Sequence, residues 1–457
     1  MSLKIKLSDL EDTERACIVK NLKFEKKRTN YNKFQTLPTI RPYLIETSQQ
    51  DEIDYIYLPL HWSQKYFKRF KRPDRNGFPK MKTTFKGKLR PLQVEVQKEA
   101  ISLLNKKGTA IISLYTGGGK TITSIYLAAK IKLPTLIIVH RLILIKQWKE
   151  SILKVCPGSI IQVLTAKSEL NVNADFYIMN AINVSKKVMG FFWTIGTMIA
   201  DEVHVMATEK MAQAFYYVQP RYCIGLSATP YRSDGMDSLL HSYFGEKKIF
   251  RKLHREHIVF KVKTEFEPSF SLGVNGKLDW NSVIQSQTCS DERNELIVKI
   301  VKFFKDRNFL ILSKRVNQVN YLLRRLQEEG EDATSLVGAK KFFNYDSRIL
   351  IATSQKAGVG FDHPKLDTLL IASDLEEYFI QYLGRVFRTE DGIPFIFDLV
   401  DNFKVLLNHY YTRRRVYIDH GGKVVNFTLK KVKEHYNVDK VKEQEFNNMF
   451  ILDQISH

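Results

Sequence analysis

The middle of the chain alternates short apolar runs with stretches in which apolar residues recur at helical spacing. The runs are rich in β-branched residues, which is typical of buried strands. In the first half of this region they begin near residues 109, 133, 176, 197 and 222. Strands that alternate with helices predict a parallel sheet with helical crossover connections.

A second alternation begins near residue 291. Residues 309–312 and 348–352 are predicted strands, and residues 316–326 between them are a predicted helix. Because 457 residues are long for a single core, we predict an α/β protein with two domains, each a mainly parallel sheet flanked by helices. The predicted boundaries are 1–85 for a small N-terminal accessory domain, 86–250 for the first α/β domain, 251–290 for a connector, 291–404 for the second α/β domain and 405–457 for a basic C-terminal tail.

The charge balance indicates a polyanionic partner. Lys and Arg number 71 against 49 Asp and Glu, so the formal net charge is +22. Nucleic acid is the simplest such partner, because each phosphate contact releases counterions. An anionic membrane is the alternative, but no apolar run is long enough to span a bilayer. We therefore predict a nucleic-acid partner and no membrane.

The cysteines and the N-terminal segment indicate the compartment. Cys17, Cys156, Cys223 and Cys289 are far apart in sequence, which argues against a zinc ribbon, an iron–sulfur cluster or a disulfide framework. The first residues are mixed in charge rather than signal-like. Both features predict an intracellular, reducing compartment.

The strand that begins at Thr109 leads into a glycine-rich loop made of Thr116, Gly117, Gly118, Gly119, Lys120 and Thr121. Helical spacing follows, so a helix is predicted to begin near Gly119. Glycines let backbone N–H groups converge on phosphate, the helix dipole and Lys120 add positive charge, and the Thr121 hydroxyl can hold Mg²⁺. The complete pattern has a glycine where this chain has Leu114, so a tight strand-to-helix turn is the alternative for the loop alone.

Two adjacent acids, Asp201 and Glu202, follow the wholly apolar residues 197–200. Neighbouring carboxylates at a strand end are costly without a cation. With Mg²⁺ present, Asp201 can hold the metal through water, and Glu202 can orient and deprotonate the attacking water. This arrangement predicts a site for phosphoryl chemistry rather than two solvated acids on a loop.

Three residues that follow Asp201 and Glu202 in the sequence can link the reaction at these acids to movement. His204 can relay to the next element, where Ser227 and Thr229 offer hydroxyls that can bond to a carboxylate or an imidazole. These hydroxyls could link hydrolysis to movement. An ordinary Ser/Thr turn before Pro230 is the alternative.

The second alternation lacks a phosphate cradle. It has instead a glycine loop with one acid, which includes Gly360 and Asp362, and the segment 381–388. Arg385 and Arg388 are three residues apart and share a face of a helix. Two guanidinium groups suit a γ-phosphate as its charge builds in the transition state. A solvated basic helix is the alternative, but the flanking apolar residues indicate a packed one.

Several further segments admit two interpretations. The amide of Gln93 can read an adenine edge, or it belongs to an ordinary surface glutamine. Residues 65–72 alternate basic and aromatic residues, which predicts either an amphipathic helix or a nucleic-acid contact. The same two possibilities, a capping helix or a nucleic-acid contact, hold for residues 409–417. Residues 55–60 are predicted to form an edge strand that ends at Pro59.

In this order the motifs resemble those of the superfamily 2 helicases. Residues 116–121 resemble motif I, 201–204 motif II, 227–230 motif III, 357–364 motif V and 381–388 motif VI, and Gln93 takes the place of the Q-motif glutamine. Motifs III and VI are most similar to the branch that holds the xeroderma pigmentosum group B helicase and phage UvsW. The layout, with a Tyr-Tyr-x-Arg-Arg-Arg-x-Tyr tail, is similar to the transcript-release helicases of poxviruses and their large-DNA-virus relatives.

The resemblance covers about residues 86–417 and has two departures. Tyr115 replaces a proline that is common before the motif I threonine. Tyr382 replaces an arginine often found after the motif VI glutamine, so one usual polar contact is in doubt. Arg385 and Arg388 stay in place.

The resemblance implies two RecA-like domains that use ATP and Mg²⁺. It assigns cofactor binding to Gln93, Thr116, Gly117, Gly118, Gly119, Lys120, Thr121, Asp201, Gly360 and Asp362, with Thr121 and Asp201 as the Mg²⁺ ligands. It assigns catalysis to Lys120, Glu202, Arg385 and Arg388, coupling to His204, Ser227, Thr229 and Gln381, and nucleic-acid contact to Arg141 and Thr353.

We therefore predict an ATP-dependent DNA helicase or translocase that acts in transcript release or in repair and recombination. The DNA is double- or single-stranded, with an RNA–DNA hybrid as a further substrate, and transcription machinery is a candidate partner. If the protein is viral, it would act in the host cytoplasm or the virion. Two alternatives are an ATP-gated clamp with little turnover, which an intact Glu202 argues against, and the motor subunit of a restriction-type complex, for which no nuclease signature is found.

Overall fold

The computed structural model describes residues 1–25, 39–48, 51–115, 117–206, 208–228, 236–273, 276–338, 343–357, 363, 365–375, 379–387 and 392–427. Five predicted site residues lie outside these ranges: Thr116, Thr229, Gly360, Asp362 and Arg388. The chain forms two compact units, Met1–Arg251 and Lys252–His457. The division falls one residue from the predicted end of the first α/β domain.

The described part of the first unit contains a seven-stranded sheet, a three-stranded sheet, a two-stranded antiparallel pair and the helices around them. Its strands are β1 (Ser2–Lys6), β2 (Phe24–Glu25), β3 (Thr39–Ile40), β4 (Leu44–Thr47), β5 (Asp54–Pro59), β6 (Thr109–Leu114), β7 (Thr135–Val139), β8 (Ile161–Leu164), β9 (Phe176–Asn180), β10 (Thr197–Ala200), β11 (Tyr222–Ser227) and β12 (Lys248–Arg251). Its helices are α1 (Asp12–Asn21), α2 (Leu60–Tyr66), α3 (Pro91–Lys107), α4 (Lys120–Ile131), α5 (Leu142–Val155), α6 (Ala181–Val184), α7 (Val203–Met206), α8 (Glu209–Ala212) and α9 (Asp237–Phe244). β2 and β3 form a separate antiparallel pair.

The main sheet of the first unit has seven parallel strands in the order β12-β6-β11-β10-β7-β9-β8. Its central strands are buried on both faces, as the continuous apolar runs predicted. The parallel sheet with helical crossovers is therefore confirmed. Because the strands are parallel, their C-terminal ends all lie at one edge, where open α/β sheets carry their ligand sites.

The N-terminal segment packs within the first unit. Its small antiparallel sheet has the order β1-β5-β4, so β5 is the central strand and the edge-strand prediction was wrong. Pro59 is tolerated because it is the last residue of β5, beyond the register that β4 reaches at Tyr57. Proline has no backbone N–H to donate, and the last residue of a strand does not need one for the sheet.

The predicted helix over residues 65–72 is replaced by the end of α2 and a turn, and its side chains pack. Phe67 is buried against Trp62, with ring centroids 5.1 Å apart. Arg69 pairs with Glu14, and Arg72 donates to the carbonyl of Leu104 at 2.9 Å. These contacts favour the packing interpretation for Phe67 and both arginines.

The second unit has one parallel sheet. Its strands are β13 (His257–Lys263), β14 (Phe309–Ser313), β15 (Ala333–Leu336), β16 (Ile349–Thr353), β17 (Thr368–Ile371), β18 (Phe395–Val400) and β19 (Gly422–Phe427), in the order β15-β16-β14-β17-β18-β13-β19. Its helices are α10 (Trp280–Cys289), α11 (Asp291–Phe303), α12 (Val316–Glu328), α13 (Ser354–Ala357), α14 (Phe379–Val386) and α15 (Lys404–Asp419). A core of apolar residues on these strands packs against α11 and α12.

Two predicted boundaries need correction. The segment 251–290 is not a connector throughout, because β13 pairs with both β18 and β19 inside the sheet. The segment from residue 405 is not only a tail, because α15 supplies buried side chains to the second unit and β19 forms an edge of its sheet. Both segments contribute to the second core.

Cys17, Cys156, Cys223 and Cys289 are free thiols in the structure. Within the described ranges, no helix combines the length and apolar character needed to cross a bilayer.

Candidate active site

Four neighbouring strands of the first sheet, β6, β11, β10 and β7, end at the same edge. The glycine-rich loop follows β6, Asp201 and Glu202 follow β10, and Ser227 is the last residue of β11. Adjacent strands are about 4.8 Å apart. The parallel sheet therefore gathers at one edge residues that are more than 100 positions apart in sequence.

The glycine-rich loop is shaped for close approach to a ligand. Gly117 and Gly119 have φ values of 86° and 85°, which favour glycine. Gly119 caps α4, whose first residue is Lys120, as predicted. The Lys120 ammonium donates to the carbonyl of Leu114 at 2.9 Å and so lies back over the loop. The loop thus brings together a helix N-terminus and a lysine, and both of these elements can bind phosphate.

Gln93 ties the loop to α3. Its amide oxygen accepts from the Arg90 backbone N–H at 2.7 Å, and its amide nitrogen donates to the Gly119 carbonyl at 3.3 Å. Only 2% of Gln93 is exposed. Since both amide groups are engaged with the protein, their geometry here supports the loop, and a part in adenine recognition stays a prediction.

Sequence reasoning missed Arg90. Its guanidinium donates to the Gly117 carbonyl at 2.8 Å, so a second cation besides Lys120 holds a carbonyl in or next to the loop. A signal was available, because Arg90 precedes Pro91 at the start of α3 and stands three residues before Gln93, which is the spacing of a helix cap.

Asp201 is a buried carboxylate at the end of β10. Burial, followed by the charge of Glu202, raises the pKa of Asp201 to about 6, although the indole N–H of Trp148 and the charge of Lys120 both lower it. The indole nitrogen lies 2.8 Å from the Asp201 Oδ2. A cation would stabilise a carboxylate in this position, and the role of Asp201 as a metal ligand stays a prediction.

Glu202, His204 and Ser227 form a chain of contacts. Glu202 has a φ of 51°, in a region that non-glycine residues rarely adopt. Its Oε2 lies 3.4 Å from the His204 Nδ1 and accepts from the Ala228 backbone N–H at 3.3 Å. The same imidazole nitrogen lies 3.0 Å from the Ser227 hydroxyl. The strained backbone thus aims the carboxylate at the end of β11, where the predicted coupling residues lie.

These residues fit ATP and Mg²⁺. The loop offers backbone N–H groups and Lys120 to phosphates, while Thr121 and Asp201 offer the oxygen ligands that Mg²⁺ prefers. No group of three or more His, Cys, Asp or Glu side chains in the described part of the chain could hold a metal by itself. Mg²⁺ is usually held by one or two carboxylates together with substrate phosphates.

Comparisons with known proteins agree with this geometry. The family model described as "Type III restriction enzyme, res subunit" matches residues 86–232. "Putative helicase 161L" of Invertebrate iridescent virus 6 is 44% identical over 399 residues, which cover 82% of this chain and 90% of that protein. The protein 055L of Frog virus 3, with the same description, is 30% identical over 82% of this chain and 86% of its own.

The chain belongs to the superfamily 2 helicases, in the group of these iridovirus proteins. It is therefore an ATP-hydrolysing enzyme, as predicted. The solved structure of S. cerevisiae Dbp5 bound to RNA and ADP BeF3 covers 76% of this chain and 96% of its own, with a TM-score of 0.53 and 14% identity. This likeness confirms the predicted pair of RecA-like domains.

In the helicase's second unit, α14 carries residues 381–386 of motif VI. Gln381 and Arg385 lie one turn apart on this helix, and only 7% of Arg385 is exposed. The packed helix that the flanking apolar residues predicted is confirmed. The Tyr382 hydroxyl donates to the Ser354 carbonyl at 2.9 Å, so the tyrosine at this position joins α14 to α13. Thr353, predicted to contact nucleic acid, is the last residue of β16.

The helix α15 of the helicase has two different faces. Arg413 is buried, donates to both oxygens of Asp398 at 2.8 and 2.9 Å, and donates to Asp374 at 2.8 Å. Tyr417 donates to Asp398 at 2.7 Å. The opposite face exposes Tyr411, Arg414 and Arg415. The buried inner face therefore favours the capping-helix interpretation. A nucleic-acid contact stays a prediction for the exposed outer face only.

Gly119→Ala in the helicase is expected to weaken nucleotide binding by about tenfold or more, or about 1.4 kcal/mol. An added Cβ would collide with the Gln93 amide nitrogen and come within 3.0 Å of the Arg90 guanidinium. The matched control is Gly158→Ala, because Gly158 has the same φ of 85° with nothing within 4 Å of an added Cβ. Both changes cost about 1–2 kcal/mol of backbone strain in thermal unfolding, but only Gly119→Ala should lower nucleotide affinity in calorimetry. Equal affinities would show that the Gln93 contact does not shape the site.

Proposed function

We propose that this helicase couples ATP hydrolysis to movement along DNA, in transcript release or in repair and recombination. The observation that carries the proposal is the contact chain from Glu202 through His204 to Ser227. It joins the carboxylate suited to activate water to the end of a neighbouring strand. A protein that only clamps nucleic acid has no need for such a link.

The roles of the residues follow from their chemistry. Lys120 and the loop N–H groups bind and neutralise the β- and γ-phosphates. Asp201 and Thr121 hold Mg²⁺, which supplies charge neutralisation and orients the phosphates when bound. Glu202 takes a proton from the attacking water, and Arg385 and Arg388 stabilise charge on the γ-phosphate in the transition state.

Coupling depends on the state of Glu202. When Glu202 gains or loses a proton, its attraction to the His204 imidazole changes, and so does its acceptance of the Ala228 N–H. Ala228 and Ser227 lead into the segment that ends motif III. We infer that this change is transmitted along the end of β11, with Thr229 and Gln381 as further coupling residues.

A DNA substrate is favoured by the charge of +22 and by the predicted likeness to transcript-release helicases. Dbp5, whose fold is shared, was solved with RNA, so RNA is the competing substrate. The deciding experiment measures ATP turnover with DNA, RNA and an RNA–DNA hybrid beside strand displacement on each. Stimulation by RNA alone would overturn the proposal of a DNA motor.

The motor subunit of a restriction-type complex is a second candidate, because the family model that matches residues 86–232 carries that description. The relative from Invertebrate iridescent virus 6, which bears a helicase name, aligns over 90% of its own length. This alignment extends well beyond residues 86–232 and covers 82% of the chain. It therefore favours a helicase that uses both of its units over the motor subunit of a restriction-type complex.

DNA affinity is expected to fall log-linearly with salt, with a slope of about −0.9 for each phosphate neutralised. Arg141 caps the N-terminus of α5 and is exposed, so it can reach a phosphate. Arg141→Ala should therefore reduce the slope by about 1. Lys154→Ala, at the opposite end of the same helix, is the matched control and should leave the slope unchanged. Fluorescence anisotropy of a labelled duplex across a salt series measures both, and a flat response would assign the charge to another partner.

A further inference from the structure

Trp148 lies next to the proposed metal site although no motif assigned it a role. It sits on α5 in the core of the first unit and is 2% exposed. Its indole N–H donates to the Asp201 Oδ2 at 2.8 Å. An indole has one donor and no acceptor, and a buried tryptophan usually satisfies that donor. Here the acceptor is the carboxylate that motif II supplies for Mg²⁺.

The contact restricts how Asp201 can turn. The Asp201 backbone N–H donates to the Ile138 carbonyl at 3.0 Å, which fixes the main chain beside β7. The terminal torsion of an aspartate is broad when nothing holds it. The indole hydrogen bond to Oδ2 favours one orientation of the carboxylate, which also accepts a hydrogen bond from the Glu202 backbone N–H.

We propose that Trp148 is a positioning residue for Mg²⁺, which acts by holding the Asp201 carboxylate in the orientation that binds the metal. The inference rests on the proposed role of Asp201 as a Mg²⁺ ligand. Residues that hydrogen-bond to a metal ligand without touching the metal commonly contribute about 10–100-fold to metal affinity. The rival explanation is that Asp201 merely satisfies a core tryptophan, in which case Trp148 stabilises the fold and has no effect on the metal.

The first test replaces Trp148 by phenylalanine, which keeps an aromatic ring in the core and removes the N–H. Binding of a fluorescent ADP analogue is titrated with Mg²⁺ in the full chain. Trp148→Phe should raise the Mg²⁺ concentration for half-saturation by about tenfold or more, while affinity for the analogue in EDTA stays within about twofold. Trp193→Phe is the matched control, because Trp193 is 63% exposed, and it should titrate like the wild type.

The second test uses the fluorescence of Trp148 itself as the reporter. In a Trp193→Phe/Trp280→Phe variant, Trp148 and Trp62 are the remaining tryptophans. Intrinsic fluorescence should change when Mg²⁺ is added to the ADP complex, because the positive charge of the metal is then added near the indole that contacts Asp201, and the change should vanish when Trp148→Phe is added.

The outcomes separate the inference from the function on which it rests. If the wild type binds the ADP analogue without any Mg²⁺ dependence, the proposed metal site itself fails. If the wild type depends on Mg²⁺ but Trp148→Phe has the same half-saturation, or the fluorescence does not respond, Trp148 is only a core residue and the inference is overturned.

Discussion

Arg385→Ala and Arg388→Ala are each expected to lower ATP turnover by about three decades or more while ATP affinity stays within about tenfold of normal. The reason is that the guanidinium groups are needed when charge builds on the γ-phosphate, more than in the ground state. Lysine at either position should rescue poorly, because an ammonium cannot present the planar fork of a guanidinium. Steady-state turnover with saturating DNA, beside equilibrium binding of a non-hydrolysable ATP analogue, measures the two quantities separately.

A loss of folding must be distinguished from a loss of catalysis, because Arg385 is buried. Arg385→Lys keeps the positive charge and most of the chain length, so normal thermal unfolding with low turnover would identify a catalytic defect. Arg324→Ala is the matched control in the same unit, since Arg324 is exposed, pairs with Glu328 at 3.6 Å and lies over the Tyr321 ring on the same helix. Turnover near the wild-type rate in both motif VI variants would show that these arginines do not act on the phosphate.

Glu202→Gln is expected to keep ATP affinity and to lose about two or more decades of turnover. The glutamine amide has the size of the carboxylate, and its oxygen can still accept from the Ala228 N–H, which lies 3.3 Å from Glu202 in the wild type. It cannot accept a proton from water. A single-turnover assay with radiolabelled ATP measures the chemical step directly.

The control for Glu202→Gln is the same change at Glu150, an exposed residue of α5 that pairs with Lys146 at 3.8 Å. It alters the net charge equally and should leave turnover unchanged. If Glu202→Gln hydrolyses ATP at a normal rate, some other group takes the proton, and the strained backbone of Glu202 needs another explanation.

The helicase motifs were predictable because each is local in sequence. The loop from Gly117 to Thr121 lies between an apolar strand and an amphipathic helix, and β6 and α4 begin where that pattern changes. Strands buried on both faces appear as continuous apolar runs, so β10 has the predicted bounds Thr197–Ala200. Patterns of this kind can be read from the sequence because they depend only on residue type and local spacing.

The N-terminal segment and the ends of the second unit were not predictable in the same way. The strand β13 joins the sheet between β18 and β19, whose residues lie more than 100 positions further along the chain. The inner face of α15 buries Arg413 and Tyr417, which are polar, so the helix has no clear apolar stripe. A buried arginine is stable there because Asp374 and Asp398 neutralise it.

The sequence by itself therefore determined the family, the α/β class and the order of the catalytic motifs, since these depend on residue type and local spacing. Only the tertiary structure decided which side chains meet. It brought Trp148 to Asp201, engaged both amide groups of Gln93 with α3 and the loop, and placed His204 between Glu202 and Ser227. Those contacts join separate strands and helices, and a hydrogen bond depends on distance and direction within a few tenths of an ångström, which the spacing of residues along a chain does not specify.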